Sequence, residues 1–152
     1  MTPPTTHLDW PFLDASHRAL ADQAARWVAT QIIDDTDADA ACRTWVRALG
    51  RAGFLRHAVP APWGGLHPTI ASRELCILRE TLAAHHPLAD FAFAMQGLGA
   101  GALALAGDEA LKATWLPKVA SGEAIAAFAL SEPNAGSDAA ALTMRGTRVA
   151  DG

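Results

Sequence analysis

Lysine and arginine are too few and too scattered here to build a basic face: 12 of them stand against 16 acidic residues, a formal charge of −4. Nucleic acid is therefore not an expected partner. Cysteine is scarce as well. Cys42 and Cys76 lie far apart, form no CxxC, and each falls in a helical pattern where a thiol behaves as a small apolar group. Neither a structural disulfide nor a zinc site is expected, and a reducing, cytoplasmic setting is the simpler reading. Charged residues make up only 18% against 51% hydrophobic, which excludes the disordered class and suits one domain, or one plus the start of another, in 152 residues. The opening MTPPTTHLDWPF lacks a basic leader and an apolar h-region, so it reads as a loose arm and not as a targeting peptide. The longest uncharged run, FAFAMQGLGAGALALAG from Phe91 to Gly107, sits at the short edge of a membrane span. Its Ala and Gly carry little transfer energy, so a buried soluble helix and no membrane span are expected.

What is abundant is alanine in helical spacing. Asp14 or Ser16 can cap a first helix to about Ile33, with Leu20, Ala24, Trp27 and Val28 on its inner face. A second covers about Ala41 to Arg51, turns Trp45, Val46 and Leu49 inward, and can stop at Gly53. The segment AVPAPWGG should be an ordered turn packed down by Trp63. A third helix starts near Thr69 or Ser72 and runs to His85 and His86; a fourth covers about Ala89 to Ala106. Asp108 can cap a fifth, with Leu111, Trp115 and Leu116 on one face, until Gly122 stops it. AIAAFAL, Ala124 to Leu130, is short, apolar and bounded by turn signals, so a buried strand is expected, followed by a loop over Ser131 to Asp138. The last residues alternate weakly and end on Asp151-Gly152, a hairpin dipeptide. The expected fold is mainly α, a helical domain over residues 1–122 followed at 123–152 by the first strand or strands of a β domain that these residues do not complete.

Chemistry-bearing patterns are sparse. His85 and His86 suit a helix C-terminus. His7, His17, His57 and His67 show no ligand spacing, so no metal site is expected. GxSxG, Walker and GxGxxG patterns are missing. Gly97, Gly99 and Gly101 in the fourth helix either allow close core packing or leave a slot that suits an acyl chain, which gains roughly 0.8 kcal/mol per buried methylene. In FALSEPNAGSDAAAL the backbone N–H groups of Asn-Ala-Gly-Ser can form an anion-holding nest with Ser131 and Ser137 on either side. Pro133 fixes its own φ and pushes Glu132 extended. A plain turn and a flavin or nucleotide edge are both compatible with that loop.

Taken together, WLPKVASGEAIAAFALSEPNAGSDAAAL resembles the acyl-CoA dehydrogenase family, whose signature has a hydroxyl residue, Glu-Pro, then x-Ala-Gly-Ser-Asp. LGRAGFLRHAVPAPWGG and AGDEALKATWLPKVASGE are similar to the family's second helix and to the run before its flavin strand, so nearly the whole chain is covered. The resemblance implies FAD as cofactor, with Phe128, Leu130, Ser131, Gly136 and Ser137 along it, and an acyl-CoA substrate bordered by Ser137. Phe91, Ala94, Met95 and Leu98 would line the acyl pocket. Ser131 stands where Thr is common, and Phe128 where Tyr is often found. The implied reaction is α,β-dehydrogenation of the thioester: a carboxylate takes the α proton while hydride leaves the β carbon for the flavin. That carboxylate lies beyond Gly152 in the family, so no catalytic residue is assigned here, and a truncated chain, inactive alone, is expected. An electron-transfer flavoprotein as acceptor and a homo-oligomeric full-length protein are also implied. An acyl-CoA oxidase or flavin monooxygenase of the same fold, or a non-catalytic helical subunit of a heteromeric flavoprotein, are the other readings.

Overall fold

The computed structural model describes residues 6–147 and 149. Five α-helices form among them: α1 Ala15–Ala29, α2 Ala38–Arg51, α3 Ser72–His85, α4 Pro87–Ala106 and α5 Glu109–Ser121. The boundaries follow the capping chemistry. The Asp14 carboxylate accepts from the Ser16 and His17 backbone N–H groups at the start of α1, and the Asp108 carboxylate from Leu111 N–H at the start of α5. Gly122 ends α5 at φ 75°, a left-handed conformation that costs glycine little. Helix α1 stops at Ala29, short of the expected Ile33. There Thr30 Oγ1 and Gln31 Nε2 donate to the Trp27 carbonyl at 2.7 and 3.1 Å, and Ile32 beyond them is fully exposed with no face to bury.

Helix α4 is the hub. It packs against α2, α3 and α5, while α1 lies across α3. The main core sits between α1, α2, α3 and the first half of α4, around Trp45, Leu49, Leu55, Leu78, Leu82 and Phe93. A smaller core joins the second half of α4 to α5 through Ala100, Leu116, Val119 and Ala120, with Trp63 packed on it as expected. On α5 it is Leu116, Val119 and Ala120 that turn inward, not Leu111 and Trp115, which are about half exposed. By length and composition α4 passes for a membrane span. Its buried side, Ala89, Ala92, Phe93, Gln96 and Ala100, instead meets neighbouring helices, while Phe91, Leu98 and Leu105 are exposed.

Two further expectations are corrected. Residues 6–12 are not a loose arm: Leu8 is buried with Ala21 and Ile77, and Arg18 donates to the Leu8 carbonyl at 3.0 Å. The strand expected over Ala124 to Leu130 does not form. Among the described residues there is no β-strand, only isolated bridges such as Glu132 to Ala135, and Ile125, Phe128 and Leu130 are exposed instead of buried. A strand exists only where a second strand takes up its N–H and C=O groups, and no such partner lies among these residues. The expected Asp151-Gly152 hairpin falls outside the described residues, as do residues 1–5 of the arm.

Candidate functional site

Helix α4 carries the site because two residues on it grip the irregular segment that follows α5. Gln96 is fully buried, and its amide bridges three backbone groups. Its Nε2 donates to the Ala124 carbonyl at 3.0 Å and to the Val119 carbonyl at 3.5 Å; its Oε1 accepts from Ala126 N–H at 2.6 Å. One side chain thus does locally what a neighbouring strand would do, satisfying a backbone that would otherwise be unpaired. Three residues along, the absent side chain of Gly99 lets the segment come close. A Cβ there would stand 2.8 Å from the Ala126 Cβ and from the Ala127 carbonyl oxygen. The glycine expected to permit close approach therefore does so at position 99, against backbone.

This grip creates a cavity of about 280 Å³ between α2, α4 and the segment 125–128. Phe91 and Met95 line it from α4, Phe128 from the segment, and Asp39, Cys42 and Arg43 from α2. A second cavity of about 280 Å³ runs along the other flank of α4 and is lined by Ala94, Leu98, Gly97 and Gly101 with Leu75 and Ile70. The four residues expected to line an acyl pocket therefore divide: Phe91 and Met95 join Phe128, whereas Ala94 and Leu98 face the glycine slot. At about 100° per residue all four still fall on one arc of α4. Arg79 also lines the slot, fixed by two parallel hydrogen bonds to Asp90 at 2.8 and 2.9 Å.

Leu130, Ser131, Gly136 and Ser137 lie beyond both cavities on an exposed loop. The nest expected there is only partly available. Ala135 N–H is already donated to the Glu132 carbonyl at 3.1 Å, and Gly136 has no positive φ, so the alternation of hand that shapes a nest is missing. The backbone N–H groups of Gly136 and Ser137 have no partner among the described residues, so they are free to meet an anionic group. The loop is held from behind by Glu132, whose carboxylate accepts from Thr143 N–H, Thr143 Oγ1 and Met144 N–H at 2.9, 2.9 and 2.8 Å.

Those bonds, Thr143 N–H foremost, hold the Glu132 carboxyl below its ordinary 4.5. A depressed acid contributes its contacts fully above the ordinary value and loses them as pH falls through the lowered one. In an amide NMR titration the Thr143 and Met144 signals should therefore move together, with a common midpoint below 4.5. Midpoints at or above that value would show that the carboxylate does not hold the loop.

Three features escaped the sequence reading. Gln96 left a signal, the lone amide inside a long uncharged run. The grip of Glu132 on Thr143 spans a loop and left none. His57 and His67, assigned no ligand role for want of spacing, meet at Glu74, which the α3 pattern offers no reason to single out.

Residues 14–123 match the family model described as acyl-CoA dehydrogenase, N-terminal domain. A probable acyl-CoA dehydrogenase of Mycobacterium bovis is 34% identical over 131 residues, 86% of this chain and 30% of its own length. The mitochondrial very long-chain specific acyl-CoA dehydrogenase of Homo sapiens is 36% identical over 65% of this chain and 15% of its own length. Among solved structures, a Bacillus anthracis acyl-CoA dehydrogenase complexed with FAD superposes with a TM-score of 0.71 at 25% identity, over 85% of this chain and 23% of that one. The chain thus spans less than a third of the length of these relatives.

Proposed function

The chain belongs to the acyl-CoA dehydrogenase family, and from that premise we propose that it is the N-terminal part of an FAD-dependent enzyme that dehydrogenates an acyl-CoA thioester between its α and β carbons. In this reading residues 1–122 are the helical domain and 123–152 begin the β domain. When bound, FAD supplies the acceptor for the hydride. The chain's own residues bind and orient. Gln96 and Gly99 hold the segment so that Phe128 faces Phe91 and Met95 across one cavity. That juxtaposition, Phe128 across one cavity from Phe91 and Met95, is the observation that supports the reading, since the resemblance implies the first beside the cofactor and the other two beside the acyl chain. Leu130 and the Ser131 hydroxyl would border the flavin ring, the N–H groups of Gly136 and Ser137 its pyrophosphate, and Ser137 also the CoA arm. An acyl chain would lie against α4, where alkyl burial stabilises it by roughly 0.8 kcal/mol per methylene, and the apolar walls exclude water. The catalytic carboxylate would come from outside these residues, and an electron-transfer flavoprotein would take the electrons from a homo-oligomeric enzyme.

The test is anaerobic mixing of a saturated acyl-CoA with the FAD-loaded enzyme that carries this chain. Loss of the oxidised flavin's visible absorption is expected, and it should slow when Met95→Arg places a charge in the cavity. A flavin that stays oxidised with short, medium and long acyl groups would contradict the reading. The 152-residue chain by itself, supplied with FAD, acyl-CoA and a dye, should show no acyl-CoA-dependent dye reduction. Turnover would overturn the assignment of the base elsewhere and point to Asp39, the acidic residue lining that cavity.

A further inference from the structure

Two imidazoles and a carboxylate converge between α3 and the turns that follow α2, away from both α4 cavities. Gly53 opens a 3-10 turn, Phe54–Ala58, that carries His57; the chain then doubles back, and Ala61 N–H bonds the His67 carbonyl at 2.7 Å. Doubling back brings His67 beside His57, with ring centroids 6.3 Å apart. Glu74, in the first turn of α3, reaches both: His57 Nδ1 lies 2.7 Å and His67 Nε2 2.8 Å from the same Glu74 Oε2.

We propose that His57, His67 and Glu74 form a binding site for a zinc-class divalent cation. The donor set, two imidazole nitrogens and one carboxylate, is among those zinc takes with three protein ligands and an open fourth position. All three donors lie within 4.8 Å of one another. Bonds of about 2.0–2.1 Å in a tetrahedron separate ligand atoms by about 3.3–3.4 Å, so the two short contacts need to open by less than about 1 Å.

Access is open. His57 and Glu74 line a cavity of about 420 Å³ walled by Leu20, Gly53 and Leu66, with room for a water as fourth ligand. Arg56 is the neighbouring cation, and its Nε is engaged with the Gly64 carbonyl at 3.0 Å. A metal here would tie the 3-10 turn to α3 one residue from Ala58 and Leu75, both in the wall of the glycine slot. The site would therefore brace that slot without entering it.

The test titrates the metal-free 152-residue chain with Co²⁺ and then Zn²⁺. One ion per chain is expected, with the intense visible bands of tetrahedral cobalt that Zn²⁺ displaces. His67→Gln and Glu74→Gln should each weaken Zn²⁺ binding by more than about tenfold, since loss of an outer-shell partner alone costs about 10–100-fold. The His67 side chain is 40% exposed, so His67→Gln should keep the helical circular dichroism of the parent. His85→Gln, outside the cluster, should bind as the parent does. Absence of stoichiometric binding to the folded chain, or binding that survives both His67→Gln and Glu74→Gln, would overturn the proposal.

Discussion

Replacing Gln96 with leucine is expected to lower the stability of the chain by about 2–4 kcal/mol and to release the segment 124–128 from α4. Leucine is close to glutamine in size, so the core around it need not rearrange. What is lost is the partner of Ala126 N–H and of the Ala124 carbonyl. Each of these partly buried backbone groups, left without its partner, costs up to about 1–3 kcal/mol, against which the apolar side chain returns about 1 kcal/mol or slightly more. Urea denaturation measures the difference, as a lower midpoint at unchanged slope. On the function proposed above, the same change should also weaken FAD retention by the enzyme that carries this chain, because Phe128 and the loop after it follow the freed segment. A Gln96→Leu chain as stable as the parent would mean that the amide is incidental to the packing.

Trp45→Ala is expected to cost about 3–5 kcal/mol, a large share of the 5–15 kcal/mol typical of a domain. Trp45 is fully buried at the meeting of α2 with α1 and the α3–α4 turn. Its ring packs against Trp27 with centroids 6.1 Å apart and against His86 at 4.9 Å. Removing it leaves a cavity in the main core, which a close-packed interior fills only in part. One feature moderates the loss: the Trp45 Nε1–H is buried without a partner among the described residues, and its desolvation cost disappears with it. Trp45→Phe, which keeps a ring and removes that donor, should therefore cost much less than Trp45→Ala. Equal losses for the two substitutions would show that ring packing is not what α2 contributes.

The helices were legible in the sequence because their signals are local. Asp14, Asp108, Gly53 and Gly122 act within a turn of where they stand, and the inward faces of α2 and α3 follow from spacing alone. The segment after α5 was not legible in the same way. Its apolar run has strand composition, but a strand is a property of two segments, and here an amide from α4 substitutes for the missing neighbour. The signature over Ser131 to Asp138 disclosed the family, yet the loop's shape depends on Glu132 reaching residues 143 and 144, which spacing does not reveal. Phe91, Ala94, Met95 and Leu98 were expected as liners of one acyl pocket because the resemblance implies that the N-terminal helices cover it. Their division between two cavities depends on α2 and α3, whose distance from α4 only packing decides. His57 and His67 were dismissed for lacking a regular interval, because the tight turn that joins them carries no periodicity.

The claim that α4 holds the segment 124–128 rests most directly on the 2.6 Å bond from Ala126 N–H to Gln96 Oε1. Amide hydrogen exchange at Ala126 tests it. Slow exchange is expected in the parent chain and fast exchange in Gln96→Leu, while amides in α2 and α3 stay protected in both. Fast exchange at Ala126 in the parent, or protection unchanged by the substitution, would contradict it.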